Sequence, residues 1–447
     1  MRKTLTVAAE LAIRYLENLD SAPVAARANA STLRERLARP LGDAGIPPEQ
    51  VVADLVRDVE DGILGSTSGR FFAWVLGGAL PAALAADWLT SVWDQSSTLA
   101  ASGPAAAVVE EIAGEWLKDV LNLPRGASFA FVSGCQMAHI TCLTIARRAL
   151  LTRAGWDVEQ KGLSGAPAVR IIAGEQRHGS VDRAIRFVGF GTANVSLIPW
   201  EALEETLAAD PNRPTIVVLQ AGEINTGAFD SFETLIPLAK RYGAWVHVDG
   251  AFGLWAAASP KYRHLVRGVE AADSWATDGH KWLNVPFDCG YAFVADPAAH
   301  RDAVAYRAPY LTYDSDVRDA IDWTPEWSRR ARAFPTYAAL RQLGKQGITE
   351  LVDRCCGYAH QLVEGIGALP GTEILWRPIL NQGLIGFGDA STDGVIAAIC
   401  QEGETYFWGT TWSGRRVMRV SVCNWRTTDR DVERAIASVA RVLGGAA

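Results

Sequence analysis

The chain has 447 residues, of which 49% are hydrophobic and 21% charged, a composition typical of a folded protein with a large core rather than of a disordered chain. Its net charge of −7 and pI of about 5.6 argue against nucleic acid or an anionic membrane as the main partner. The sequence contains neither a signal-peptide core nor an apolar stretch of about 20 residues that would span a membrane.

The cysteines support the same view of the protein's environment. They form no Cys-x-x-Cys pair and show no metal-ligand spacing, so we predict reduced thiols, no metal site and a cytoplasmic location. The seven cysteines are at positions 135, 142, 289, 355, 356, 400 and 423.

The predicted elements begin with helices. Apolar side chains recur at helical spacing over residues 5–19, and a second helix is predicted over 27–37. Glycines and prolines then crowd residues 62–81, and a long helix is predicted over 106–121. We assign residues 1–85 to an N-terminal helical segment.

Strands and helices alternate in the middle of the chain. Apolar strands separated by helices indicate an α/β fold with a mostly parallel sheet that is covered by helices on both faces. We therefore assign residues 86–335 to one large domain. The predicted strands are 128–132, 168–173, 195–199, 215–220 and 244–248, and the predicted helices are 137–150, 180–188 and 232–242.

The pattern changes after residue 323, where helices are followed by shorter strands. This order indicates a smaller C-terminal α+β domain, which we assign to residues 336–447. Helices are predicted over 328–344, 348–369 and 430–443, and strands over 374–376, 383–387 and 416–422.

Lys281 and Asp249 carry the strongest functional signal, because each follows a short apolar strand and they stand 32 positions apart (281 − 249). A lysine amine can hold pyridoxal phosphate (PLP) as a Schiff base. An aspartate can keep the pyridine nitrogen protonated, so that the ring accepts electrons from a bond at the substrate Cα. We expect Lys281 to be desolvated beside cationic groups, which would favour loss of its proton.

Other residues could complete such a site, each with a structural alternative. Residues 133–136 (Ser-Gly-Cys-Gln) join a strand to a helix, where backbone N–H groups could bind a phosphate or form a structural turn. His178 could stack on a planar cofactor or cap a helix. His280 could contact the cofactor phosphate or steer proton transfer.

Two candidates lie further along the chain. Tyr310 is in a loop-like stretch, where a phenol could donate a proton or pack on the surface. Arg419 could bind a substrate carboxylate or pair with a neighbouring aspartate.

With these residues assembled, the chain resembles the PLP-dependent group II amino-acid decarboxylases from about residue 8 to residue 442. The resemblance is strongest in His-Val-Asp-Gly-Ala-Phe-Gly at 247–253 and in 272–283, which contains Asp-Gly-His-Lys-Trp. It implies fold type I, the fold of aspartate aminotransferase, with a seven-stranded-type sheet. Supporting matches are 70–72, 176–184 and 227–230.

The resemblance also implies roles for individual residues. Lys281 would hold the cofactor, Asp249 would face the pyridinium, and His178 and Ala251 would lie on opposite faces of the ring. Tyr310 falls where decarboxylases carry a loop tyrosine that protonates Cα after carbon dioxide leaves. The remaining cofactor contacts would come from Gly134, Cys135, Gln136, Asp278 and His280.

The sequence departs from the family pattern at three places, one of which is a slightly short loop between Tyr310 and Arg329-Arg330. Cys135 and Gln136 stand where small or hydroxyl residues are usual, and Glu223-Ile224 stand where two threonines are usual. Tyr310 favours simple decarboxylation, whereas Gln136 and Ile224 favour oxidative deamination to an aldehyde, transamination or aldol cleavage. A non-enzymatic homologue would require the Lys281–Asp249 pair to be vestigial.

The substrate and the assembly are also predicted. Phe71, Phe72 and Trp74 occupy the stretch that approaches the substrate in the resembling family, so we predict an apolar or aromatic L-amino acid, with Ile224 as a further contact. The alternatives are core packing of these aromatics or an acidic substrate paired with Arg70.

The amphipathic segment 5–19 has too little chain of its own to bury its apolar face. In the resembling family this segment wraps a partner and the active sites lie at the interface, so we predict a homodimer. The alternative is a helix folded back on its own subunit.

Overall fold

The computed structural model describes residues 1–306, 317–388 and 390–445, which divide into two compact units. The terminal unit comprises Met1–Leu76, Tyr358–Arg377 and Gly383–Ala447, and the central unit comprises Gly77–Gly357 and Pro378–Gln382. The predicted domain boundaries near residues 85 and 335 stay a prediction.

The described residues form these α-helices in chain order: α1 (Arg2–Asn18), α2 (Ala30–Leu37), α3 (Pro48–Val59), α4 (Pro81–Trp93), α5 (Pro104–Val120), α6 (Cys135–Arg153), α7 (Val158–Lys161), α8 (Gly179–Phe187), α9 (Leu203–Ala208), α10 (Phe232–Arg241), α11 (Pro297–Val304), α12 (Ala333–Gly367), α13 (Thr392–Glu402) and α14 (Asp429–Gly445). They form these strands: β1 (Ser128–Val132), β2 (Arg170–Ala173), β3 (Val195–Leu197), β4 (Thr215–Gln220), β5 (Trp245–Asp249), β6 (Ser274–Asp278), β7 (Gly290–Val294), β8 (Glu373–Trp376), β9 (Gln382–Gly386), β10 (Trp408–Trp412) and β11 (Arg415–Ser421).

The central unit contains a seven-stranded sheet in the order β1-β7-β6-β5-β4-β2-β3. Strands β6, β5, β4, β2 and β3 pair in parallel, whereas β7 pairs antiparallel with both β1 and β6. Strands β1, β2, β5, β6 and β7 are buried along their whole length, as expected for a sheet covered on both faces. The predicted α/β fold with a mostly parallel sheet is confirmed.

The terminal unit contains a four-stranded sheet in the order β10-β11-β9-β8, in which β10 pairs antiparallel with β11 and β8 with β9. Helices α13 and α14 pack against each other, and α1 packs against α3. The predicted small α+β part is therefore confirmed.

Three further features concern the helices and the thiols. The helices predicted over 328–344 and 348–369 form one run, α12, which breaks at Gly344 because that residue has a φ of 59°. Within the described part of the chain, no helix has both the length and the apolar run needed to cross a membrane. All seven cysteines are free thiols.

Candidate active site

Two aspartates end neighbouring parallel strands of the central sheet. Strand β5 ends at Asp249 and β6 at Asp278, so both carboxylates lie at the carboxyl edge, where ligands bind in such sheets. Ala251 connects them, because its N–H donates to Asp249 Oδ1 (3.1 Å) and its carbonyl accepts from the N–H of Asp278 (3.0 Å). The strand ends therefore hold the two carboxylates in a fixed relation.

Lys281 lies directly beside Asp278. Its Nζ is 2.9 Å from Asp278 Oδ2, and both side chains are largely buried. The N–H groups of Gly279 and His280 donate to the carbonyl of Cys289, which closes the turn that carries the lysine. Burial lowers the pKa of Lys281, but the Asp278 carboxylate together with Cys135 and Asp249 outweighs burial and raises the pKa above its ordinary value. The expectation of cationic surroundings is therefore wrong, since the nearest charged partner is an anion.

His280 is fixed by three contacts. Its ring stacks on Phe287 with centroids 4.3 Å apart, and Nδ1 accepts from the N–H of Cys289 (3.2 Å). Its Nε2 lies 3.6 Å from Asp278 Oδ1. Burial lowers the pKa of His280, which favours the neutral imidazole.

The N-terminus of α6 faces the same carboxylate. The N–H of Cys135 donates to Asp278 Oδ1 (2.6 Å). Because Gly134 has no side chain, the backbone at this position can approach the His280 ring closely. A Cβ there would lie 3.1 Å from His280 Cε1. The Nε2 of Gln136 is buried and has no hydrogen-bond partner among the described residues. A helix N-terminus, a glycine and an unused donor fit the phosphate of PLP.

Asp249 is buried and ionised. Its Oδ2 lies 3.6 Å from His139 Nε2, and its Oδ1 lies 3.9 Å from the Sγ of Cys135. Burial alone would raise the pKa of Asp249, but the charge and hydrogen bonding of His139, followed by the charges of His178 and Lys281, hold it well below its usual range. A buried carboxylate that stays ionised fits the protonated ring nitrogen of PLP.

Behind His139 lies a row of polar groups that the sequence analysis missed. His139 Nδ1 is 2.9 Å from His247 Nε2, and His247 Nδ1 is 2.9 Å from Ser274 Oγ. The indole N–H of Trp245 donates to the same hydroxyl (2.9 Å). Two signals were present: Cys135 and His139 have the four-residue spacing of one helix face, and residues 247 and 249 share a strand face.

The fold also gathers potential metal ligands, although the sequence predicted no metal site. One ligand atom each from Cys135, His139 and Asp249 lie within 4.8 Å of one another. Asp249 is far from Cys135 and His139 in the sequence, and the three residues meet only because α6 packs on β5.

His178 caps a helix in this structure. It precedes α8, and its Nδ1 accepts from the N–H of Ser180 (3.2 Å) while lying 2.7 Å from the Ser180 hydroxyl. The capping interpretation is confirmed, and stacking on the cofactor stays a prediction. Tyr310 lies outside the described residues.

Glu223 closes a turn. Its buried carboxylate accepts from the N–H groups of Asn225 (2.9 Å) and Thr226 (2.7 Å) and from the Thr226 hydroxyl (2.8 Å). The departure from the family pattern at this residue therefore has a local structural use. Ile224 is half-buried in the same turn, after the carboxyl end of β4.

The predicted substrate residues Phe71, Phe72, Trp74 and Arg419 belong to the terminal unit. Within it, the Phe71 ring stacks on Tyr406 (5.1 Å) and the Phe72 ring on Phe407 (5.4 Å). Phe71 and Phe72 are buried, as is Arg419 in β11, whereas Trp74 is half-buried. Core packing therefore accounts for the two phenylalanines, and substrate roles for all four residues stay predictions.

Arg70 has a structural task. Its buried guanidinium donates to the backbone carbonyls of Leu19 (3.0 Å), Asp20 (3.0 Å), Ala22 (2.8 Å) and Glu404 (2.6 Å). These bonds tie the chain after α1 to the chain before β10. The interpretation of Arg70 as a partner for an acidic substrate is therefore wrong.

Comparisons with known proteins give one family. A profile described as pyridoxal-dependent decarboxylase conserved domain matches residues 33–387. The chain is 28% identical to an aromatic-L-amino-acid decarboxylase from Bacillus atrophaeus, over 97% of this chain and 93% of that protein. It is 29% identical to a phenylacetaldehyde synthase from Rosa hybrid cultivar, over 76% and 70%. The crystal structure of Oryza sativa TDC with PLP and tryptamine has a TM-score of 0.92 at 23% identity, covers 100% of this chain and 98% of its own, and has the same fold.

Proposed function

The chain belongs to the pyridoxal-dependent decarboxylase family, and we propose on this basis that it converts an apolar or aromatic L-amino acid to the amine and carbon dioxide. The predictions of PLP as the cofactor and of amino-acid decarboxylation are confirmed by the family match. The observation that carries the proposed site is the buried Lys281–Asp278 pair beside the ionised Asp249.

The central unit supplies the groups that the cofactor needs. When bound, PLP supplies an electron sink for the bond between the substrate Cα and its carboxylate. Lys281 would hold the cofactor through Nζ, and Asp278 positions that amine. Asp249 keeps a proton on the ring nitrogen. The N-terminus of α6 and the Gln136 amide bind the phosphate.

Three further residues act around the reacting group. His178 and Ala251 would hold the cofactor ring between them, one on each face. Tyr310 donates a proton to the substrate Cα after carbon dioxide leaves, which makes the amine the product.

The decisive experiment for the site is the Lys281→Ala variant. It should lose the near-visible absorption of the bound cofactor and lose turnover, even with PLP added. Lys240→Ala is the matched control, because Lys240 lies on the surface paired with Asp273 and should keep both properties. A yellow Lys281→Ala protein whose cofactor can be fixed by borohydride would exclude Lys281 as the attachment point.

The preference for an apolar or aromatic substrate has two supports. Arg70 is occupied by backbone carbonyls, so it offers no charge to an acidic side chain. A relative over nearly the whole chain is named an aromatic-L-amino-acid decarboxylase. We expect kcat/KM to be higher for tryptophan, phenylalanine or leucine than for glutamate or aspartate, and the opposite order would refute the preference.

Aldehyde formation is the second candidate reaction, and the phenylacetaldehyde synthase relative favours it. Departures at Gln136 and Ile224 point in the same direction, whereas Tyr310 favours the amine. Assaying carbon dioxide, amine, aldehyde and peroxide together separates the two. If Tyr310 donates the proton, Tyr310→Phe should lose amine formation by about 10²–10⁴-fold while still binding PLP.

The proposed assembly is a cytoplasmic homodimer with active sites at the interface. Helix α1 buries none of its residues, and Leu5, Ile13 and Tyr15 expose 49%, 50% and 39% of their surface. A second copy of the chain is the occupant that would cover this face. The free cysteines support the location. Light scattering should give twice the mass of one chain, and a fully active monomer would refute the dimer.

A further inference from the structure

We propose that His139 is a positioning residue for the cofactor nitrogen, the last member of a buried hydrogen-bond chain that runs from Trp245 to His139 and ends against Asp249. This inference rests on the proposed role of Asp249 as the partner of the PLP ring nitrogen. It assigns to α6 a second task besides phosphate binding, namely to hold the Asp249 carboxylate ready for a cation.

The hydrogen-bond chain is continuous and buried. It passes from the Trp245 indole to Ser274 Oγ (2.9 Å), from Ser274 Oγ to His247 Nδ1 (2.9 Å), and from His247 Nε2 to His139 Nδ1 (2.9 Å). His139, His247 and Ser274 are fully buried, and Trp245 and Asp249 are nearly so. Water therefore does not compete for these groups, and each contact is stronger than it would be at the surface.

The two ends constrain the hydrogen bonds, because an indole N–H only donates and a carboxylate only accepts. An indole N–H only donates, so Ser274 Oγ accepts from Trp245 and its own proton is available for His247 Nδ1. The Asp249 carboxylate only accepts, so the ring nitrogen of His139 that faces it, Nε2, carries a proton. The other nitrogen of His139, Nδ1, can then accept from His247 Nε2, and the donors run in one direction from Trp245 to Asp249.

His139 therefore presents an N–H to Asp249. Nε2 lies 3.6 Å from Asp249 Oδ2, longer than an ordinary hydrogen bond, so the contact in this structure is an electrostatic one. A carboxylate in this buried position needs such a donor to stay charged, since burial favours its neutral acid. The neutral acid would have no attraction for a protonated ring nitrogen.

The test compares two cofactors in the absence of turnover. Apoenzyme is titrated with PLP and with its carbocyclic analogue, in which a C–H replaces the ring nitrogen, and both dissociation constants are measured by fluorescence. The analogue cannot interact with Asp249 as a cation. In His139→Leu, the dissociation constant for PLP should rise about tenfold, while that for the analogue should stay within about twofold.

Two further variants distinguish the positioning role of His139 from a general structural effect of the substitution. His139→Gln keeps an acceptor for His247 and a donor for Asp249, so it should restore most of the PLP affinity. His300→Leu is the matched control, because His300 is a fully buried histidine held by Ser128 and Trp323 away from the site. It should leave the ratio of the two dissociation constants unchanged.

The outcomes are distinct. Equal weakening of PLP and analogue in both His139 variants, or a His139→Leu protein with unchanged PLP affinity, would overturn the positioning role. If His139→Leu does not fold, the test uses the ratio of the PLP and analogue dissociation constants in His139→Gln. A ratio that differs from the wild-type ratio by about tenfold would contradict the donor–acceptor argument. Failure of the wild-type protein to bind PLP at all would instead refute the proposed function.

Discussion

At the scale of single residues, the two aspartates of the site have different neighbours. Asp278 is paired with a cation, Lys281, and with the first N–H of α6. Asp249 faces His139 and the Cys135 thiol instead. The sequence predicted both aspartates as cofactor residues, but it did not show that Asp278 raises the pKa of the lysine.

Removing the Asp278 charge should therefore change the pH dependence of cofactor loading. In Asp278→Asn the pKa of Lys281 should fall, because the carboxylate 2.9 Å away is the largest of the influences that raise it. The neutral amine is the nucleophile, so the midpoint of the rate–pH curve for PLP incorporation should move to lower pH by about one unit or more. Stopped-flow absorbance with apoenzyme measures this curve. Asp302→Asn, which alters a surface pair with Arg148, should leave the midpoint in place.

Asp249 should matter through its charge more than through its shape. Asp249→Asn retains an oxygen that can accept from the Ala251 N–H, but it cannot stabilise a proton on the ring nitrogen. Loss of charge stabilisation at a reacting centre costs about 10²–10³ in rate, so kcat should fall by that factor. Steady-state kinetics with a saturating cofactor measure it. Near-wild-type turnover in this variant would show that the ring nitrogen does not depend on Asp249.

At the scale of elements, strands with continuous apolar runs were predictable and those with polar interiors were not. Residues 128–132 and 215–220 were predicted with the bounds that β1 and β4 have. Strand β6 was expected only as the short apolar strand before Lys281, without bounds, because it contains the polar residues Ser274 and Thr277, which are buried in the fold. Helices α3 and α4 were missed because Pro48 and Pro81 suggested loops, although proline suits the first turn of a helix.

The antiparallel strand β7 supports the phosphate end of the site. A Cβ on Gly290 would lie 2.5 Å from the Cα of Gly134 and 3.0 Å from the N of Cys135, so Gly290→Ala must push β7 and the start of α6 apart. We expect the dissociation constant for PLP to rise about tenfold or more, measured by fluorescence titration. Gly126→Ala is the control, because nothing lies within 4 Å of its Cβ position. Equal affinities in the two variants would contradict this packing argument.

At the scale of the whole molecule, the site is assembled from segments that chain order does not connect. His139 and His247 are 108 positions apart, and they meet because α6 packs on β5. Sequence motifs identified Lys281 and Asp249, since these lie in compact recognisable runs. The hydrogen-bond chain behind Asp249 could not be predicted in the same way, because it depends on the strand order β6-β5-β4 and on helix placement.

Buried neutral histidines should also set the acid stability of the cofactor-free protein. Burial lowers the pKa of His247 and of His300 to about 3, whereas the unfolded chain has histidine pKa values near ~6.5. Between these values the unfolded state binds more protons, so the free energy of unfolding should fall as the pH falls, by about 1.4 kcal/mol per pH unit for each histidine. Burial raises the pKa of Asp230 to about 6, which opposes this loss between pH ~4 and ~6.

The variant that isolates this effect is His300→Gln. In the wild type, the Nε2 of His300 donates to the Trp323 carbonyl and its Nδ1 accepts from the Ser128 hydroxyl. Glutamine at this position retains hydrogen-bonding capacity but cannot titrate. Urea unfolding at a series of pH values should show a slope of unfolding free energy against pH smaller by about 1.4 kcal/mol per unit below pH ~6. His264→Gln, which replaces an exposed imidazole, is the control. A slope in His300→Gln equal to that of the wild type would mean that His300 is not a buried neutral group, and the acid sensitivity would then have to come from other residues.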